Sequence, residues 1–197
     1  ALQMDAIADY WARTGQIYIP NRDFNNSPLY VDGVIVAGDN VKVSDLIGYR
    51  YEVGDGLVGL DARDGRLLWR VESCMDGRAN QPALWRHGDR THVVVADRTG
   101  ATCVDPRSGK VLWRQSGPYN EMGTLAIHGD ILLAHGGDVA QGEARPPSGW
   151  KLTNSGLTKI WELPAAEYGR VNSGFLIHHA KGYFVSAAGK KIVCVDP

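Results

Sequence analysis

Three cysteines in 197 residues are too few for a disulfide framework, and none stands next to another. No apolar run reaches membrane-spanning length. The formal net charge is −1 and basic residues form no cluster, which argues against a nucleic-acid partner. No glycine-rich phosphate loop follows a strand and opens a helix, and no GxSxG phrase is present, so the usual marks of nucleotide binding and serine hydrolysis are missing. Nothing resembles a signal peptide either, but the chain starts on Ala1, so its start says nothing about a leader.

Glycine, by contrast, is abundant. The 24 glycines fall at turns between short apolar runs, and 44% of the residues are hydrophobic, which suits an all-β chain of one or two domains. A ten-residue phrase occurs twice, DARDGRLLWR at Asp61–Arg70 and DPRSGKVLWR at Asp105–Arg114, with six identical positions and a spacing of 44. Such self-similarity marks one supersecondary unit being stacked.

Short apolar runs flank each phrase, so each reads as a β-hairpin. Asp61 or Asp105 can close the turn by accepting backbone N–H bonds, and Gly65 or Gly109 supplies a positive φ. Trp69 and Trp113 sit at one offset on the outgoing strand, where packing between units is the expected role. A weaker copy, KLTNSGLTKIWE, keeps Gly156 and Trp161 but has Thr153 in place of the aspartate, so its turn must close differently. The incoming strand recurs at Ile192–Val195 with Asp196, giving anchors at Asp61, Asp105, Thr153 and Asp196 and a period of 43 to 48.

Four short antiparallel strands per unit of this length is the arithmetic of a propeller blade. The expected units are blade 1 at 21–75 with an insertion at 39–55, blade 2 at 76–120, blade 3 at 121–168 with an insertion at 136–148, and a partial blade 4 at 169–197. Residues 1–20 are an N-terminal extension or the remnant of a preceding unit, with a possible helix at Met4–Arg13 and strand at Gln16–Ile19. Three blades and part of a fourth make an incomplete ring. The remaining blades of a longer chain, or less simply a second copy, would cover its open edges.

Cys103 and Cys194 hold the same repeat position and are expected as small buried strand residues. Cys74 falls in a loop as a candidate thiol. His87, His128 and His178 recur beside the first hairpin turn; with His135 and His179 they invite a metal reading, but repeat position explains them better. Asn25-Asn26-Ser27 fits a glycosylation acceptor, a tripeptide common by chance.

The spacing of aspartate, glycine and tryptophan resembles the pyrroloquinoline quinone (PQQ) repeat over about residues 27–197. That resemblance implies an extracytoplasmic, periplasmic or secreted β-propeller. Some family members are quinoprotein dehydrogenases holding PQQ and Ca²⁺ on the propeller axis; others, similar to the BamB-type lipoprotein, lack cofactors and serve as scaffolds. A dehydrogenase would bring an adjacent cysteine pair and a set of carboxylate and amide oxygens around Ca²⁺, and this chain has no such pair. The expected role is therefore a non-catalytic module with no cofactor, and a fragment of a PQQ- and calcium-dependent dehydrogenase of alcohols or sugars is the alternative. No catalytic, cofactor or metal residue is assigned. A protein or glycan partner is expected at the two insertions, at Asp39, Asn40, Tyr49, Arg50 and Arg145.

Overall fold

A computed structural model describes residues 28–39, 43–45, 48–50, 56–74, 80–97, 99–117, 123–134, 146–168, 174–186 and 190–196. The helix and strand expected within residues 1–20, the Asn25-Asn26-Ser27 tripeptide, Asn40, His135 and Arg145 lie outside them.

Each first hairpin is made by a two-residue turn. β1 (Leu29–Val31) and β2 (Val34–Asp39) join through Asp32 and Gly33, whose φ angles of 50° and 83° match the right-handed twist of the strands. The insertion that follows holds a small hairpin of its own, β3 (Val43–Asp45) with β4 (Gly48–Arg50). β5 (Gly56–Asp61) and β6 (Leu67–Val71) then complete an antiparallel sheet in the order β1-β2-β5-β6.

After β7 (Asn80–Gln81), the second sheet is β8 (Ala83–His87), β9 (Arg90–Ala96), β10 (Gly100–Val104) and β11 (Val111–Ser116). β12 (Gly123–Thr124) pairs in parallel with β7, joining the segments that enter the second and third blades. The third sheet itself begins with β13 (Ala126–His128), two residues after β12 ends at Thr124. β14 (Ile131–Ala134), β15 (Ser148–Thr153) and β16 (Gly156–Glu162) finish the third sheet, and one helical turn, α1 (Ala165–Tyr168), follows.

The fourth sheet has three strands, β17 (Leu176–His178), β18 (Lys181–Ser186) and β19 (Lys191–Val195). Its first turn is made by His179 and Ala180, at φ 48° and 56°, and Gly182 sits in β18 under Leu133. The described residues thus form three four-stranded blades of a β-propeller and three strands of a fourth, as expected, and the ring is not closed.

Hydrophobic cores lie in the seams between blades. Val36, Leu57 and Trp69 of the first sheet meet Val93, Val95 and Val104 of the second. Trp85, Cys103 and Trp113 of the second meet Leu132, Trp150 and Leu152 of the third. Leu133 then meets Phe175 and Phe184 of the fourth. In each seam the apolar face of one sheet is covered by the next, as stacked units require.

A β-bulge recurs at one place in three sheets, between Gly59 and Leu60, Cys103 and Val104, and Gly149 and Trp150. The extra residue on the outgoing strand, Leu68, Leu112 or Ile160, immediately precedes the tryptophan, which accounts for the exposure of Leu68 and Ile160. Opposite each ring stands a small residue. Trp69 pairs with Gly59, Trp113 with Cys103 and Trp161 with Gly149, and a Cβ at either glycine would overlap the indole.

Cys103 is accordingly buried, but Cys194 is exposed, contrary to the expectation. Cys194 pairs with Tyr183 on β18, and β19 is the last strand of its sheet, with no outer strand to bring a ring over the thiol. On that same face, Ile192 is 75% and Leu176 65% exposed.

Candidate functional site

The turn that closes each repeated phrase is built by its aspartate. The Oδ1 of Asp105 accepts from the N–H of Arg107 at 2.9 Å and from the N–H and hydroxyl of Ser108, each at 3.0 Å. Burial pushes this carboxyl up, but the Ser108 and Arg107 bonds outweigh it and hold it below the usual value. Asp61 binds the N–H of Arg63 at 3.0 Å and also its guanidinium, at 2.6 Å through Oδ2, so it stays ionised far below the usual carboxylate range. At the third repeat, Thr153 replaces the carboxylate: its hydroxyl donates to the Gly156 carbonyl at 2.9 Å across a shorter turn.

The same turns fasten one blade to the next. Trp69 Nε1 donates to the Pro106 carbonyl at 2.9 Å, and Arg107 reaches back to Asp32 at 3.1 Å. Across the next seam, Asp130 Oδ1 accepts from Trp85 Nε1 at 2.9 Å and lies 2.9 Å from His87 Nδ1. The Trp85 bond first, and then the His87 contact, lower the Asp130 carboxyl. Gln115 adds a mimic of strand pairing: its amide donates to the Leu157 carbonyl and accepts from the Leu157 N–H, both at 2.7 Å. Sequence reasoning placed His87 at a turn but did not find its partner. The signal was the second half of each His-Gly-Asp run, since Asp130 is what the preceding blade binds.

The residues proposed for partner contact are only partly brought into view. Asp39 ends β2, and Tyr49 and Arg50 lie on β4 of the small hairpin. Asp39 pairs with Gly56 and Ala134 with Ser148, so both insertions leave the same end of their sheets.

A polar recess of about 180 Å³ opens at the opposite end, where three turns of the first two blades converge. It is lined by Asp32 of the first hairpin, by Asp89, Arg90 and His92 of the second, and by Asp105 and Pro106 of the repeated phrase. His92 is 4% exposed and tilts against Trp85 at 5.1 Å, yet both its ring nitrogens lack a partner among the described residues. Burial lowers its basicity, with Asp105 opposing and Arg90 assisting, which keeps the imidazole neutral.

The cofactor set implied by the resemblance does not fit the described residues. The three cysteines are far apart in the chain, and Asp61, Asp105 and Asp130 are occupied by turn and seam bonds. Among the described residues no group of three His, Cys, Asp or Glu side chains is placed to hold a metal ion. His178 and His179 touch ring to ring at 4.0 Å on an exposed turn. No described helix is long and apolar enough to cross a membrane.

Comparison with known proteins extends this picture. A family profile described as outer membrane protein assembly factor BamB matches residues 54–197. No curated protein matches the sequence. Among solved structures, the quinohemoprotein alcohol dehydrogenase ADHIIG of Pseudomonas putida HK5 is similar with a TM-score of 0.62 and 16% identity, over 92% of this chain and 33% of that one. BamB of Moraxella catarrhalis gives a TM-score of 0.53 at 16% identity, over 92% of this chain and 63% of that one. The computationally designed Ika4 protein gives 0.55 at 12%, over 90% of this chain and 99% of that one. The chain thus spans about a third of the dehydrogenase's length. At these identities the likeness is one of fold.

Proposed function

The chain belongs to the BamB family of PQQ-like repeat propellers, and from that premise we propose that it is a non-catalytic binding or scaffold module working outside the cytoplasm. One observation carries the reading. Six polar side chains that recur with the repeat, or stand beside its first turns, hold the arc together: Asp61 and Asp105 close turns, and Trp69, Trp85, His87 and Asp130 bridge seams. A frame braced in this way presents its connecting loops to partners. The small hairpin carrying Tyr49 and Arg50 is the first place to look for protein contact. The extracytoplasmic setting follows the family's description as an outer-membrane assembly factor.

The test is dye-linked oxidation by the whole natural polypeptide supplied with PQQ and Ca²⁺, using ethanol and glucose as substrates. The module reading expects no substrate-dependent dye reduction. Turnover would overturn it in favour of a quinoprotein dehydrogenase. Sequencing the natural polypeptide across Pro197 supplies the companion result, since an adjacent cysteine pair there would point the same way.

A further inference from the structure

We propose that the free edge of the fourth sheet receives residues 13–20 of a second copy of this chain, so that two arcs trade one strand each and close a common ring. The inference is independent of the binding-module reading, because it concerns what completes the frame.

The docking surface is the outer edge of β19 with the face beside it. In the first three sheets an outgoing strand, β6, β11 or β16, lies outside the third; the fourth sheet has none among the described residues. Leu176, Val185 and Ile192 are exposed on one face of it, together with Cys194, the counterpart of the seam residue Cys103. Trp161 marks the same gap. It stands one sheet before Asp196-Pro197 as Trp69 stands before Asp105-Pro106, and where Trp69 bonds the Pro106 carbonyl, the Nε1 of Trp161 is buried and unpartnered among the described residues. A completed turn after Asp196 supplies that carbonyl.

The sequence holds the other half of such a turn. Arg13-Thr14-Gly15-Gln16-Ile17 reads against Arg107-Ser108-Gly109-Lys110-Val111, with Arg and Gly identical, Thr for Ser and Ile for Val. Trp11 and Ala12 replace the aspartate and proline, and the residues before them suit a helix rather than an incoming strand. Residues 13–20 thus repeat the turn and outgoing strand without a strand to pair with, and β19 is such a strand without its mate. Docked there, the Arg13 N–H and Thr14 hydroxyl meet Asp196 as those of Arg107 and Ser108 meet Asp105. Ile19 takes the tryptophan position opposite Cys194, and Pro20 ends the strand, as an edge allows.

A second copy is the donor because the segment precedes the first sheet, at the far end of the arc. Seams join the first sheet to the second, the second to the third and the third to the fourth, and the ring is not closed. Two copies set head to tail satisfy the contact twice, in a ring of about eight blades, within the range that propellers use.

The experiment is cross-linking of the 197-residue chain carrying Ile19→Cys. Directly opposed residues of paired strands lie within disulfide reach, so mild oxidation should link the new thiol to Cys194 and give a species of twice the chain mass on a non-reducing gel, with the link located by peptide mapping. Tyr18→Cys, at the bulge position of Leu112, should stay unlinked. Light scattering should find dimers of the unaltered chain, and Ile192→Lys, a change at an exposed site, should weaken them at least about tenfold without moving the unfolding midpoint of the monomer. Cys194 remains the first thiol to alkylate, since dissociation uncovers it, but its labelling slows as protein concentration rises. A link formed within one chain would replace the second copy by the chain's own segment and so defeat the proposal; so would no link at all, a mass unaffected by Ile192→Lys, or a natural polypeptide whose residues after Pro197 fill the edge themselves. Dye reduction tests the module reading, so either idea can fail alone.

Discussion

The indole N–H of Trp69 donates to the carbonyl of Pro106 at 2.9 Å, across 37 residues of chain and one blade seam. Trp113, at the same repeat position one blade later, is buried with its Nε1 unpartnered among the described residues. The cause lies in the next turn, which Thr153 closes over two residues, where Asp105 closes a longer one with Pro106 in it. Trp69→Phe should therefore cost about 1 kcal/mol more than Trp113→Phe, because the first strands a carbonyl and the second removes an unmet donor. Urea unfolding of the two variants measures the difference, and equal losses would strip the bond of any role.

Gln115 makes both of its amide bonds to the backbone of one residue, Leu157, in the neighbouring blade. Gln115→Leu keeps much of the bulk but leaves that N–H and carbonyl unpaired, an expected loss of about 1–3 kcal/mol. Amide exchange at Leu157 is the sharper readout. Unchanged protection there would mean that another group takes over the bonds.

Acid should loosen the seam between the second and third blades. The Trp85 bond and then the His87 contact hold the Asp130 carboxyl below its ordinary 3.8. A depressed folded pKa means that the stabilisation is complete above the unfolded value and is lost as pH falls through the folded one. The stability of the natural sequence should thus decline below about pH 4, and Asp130→Asn should start lower at neutral pH but decline less steeply. The slope is reduced rather than abolished, since Asp61 and Asp105 are depressed as well. Thermal midpoints from pH 2.5 to 7 for both proteins would show parallel curves if Asp130 carried none of this.

The cysteines should separate by reactivity. Burial pushes the Cys103 thiol up to about 12, so at pH 8 it is protonated as well as covered. Cys74 is buried too, its sulfur 3.6 Å from the Val71 carbonyl, and Cys194 is exposed. Native alkylation should label Cys194 first, with Cys103 following only on unfolding; peptide mapping that finds Cys103 modified early would contradict the burial.

Much of the architecture could be read before any coordinates. The repeated phrase, the turn aspartates and the glycine positions locate the hairpins, because a turn is closed by groups two to five residues apart, as Asp105 is by Arg107 and Ser108. The same locality explains the misreadings. Cys194 looks like Cys103 in its own strand, and whether a ring covers it depends on the next strand of the same sheet, which for Cys103 is β11 with Trp113. The parallel pairing of β7 with β12 joins segments too short and too polar to announce themselves.

The sequence by itself determined the repeat, its period, the blade plan and the means of closing each turn, since all of these rest on contacts within a few residues. Tertiary structure decided which polar groups become fasteners and which stay open. Trp85 meets Asp130 across 45 residues, and Gln115 meets Leu157 across 42. His92 is buried against Trp85 beside a recess where turns from two blades meet, with both ring nitrogens unpartnered among the described residues. Such outcomes depend on how stacked sheets set distant turns side by side, which neither composition nor spacing encodes locally.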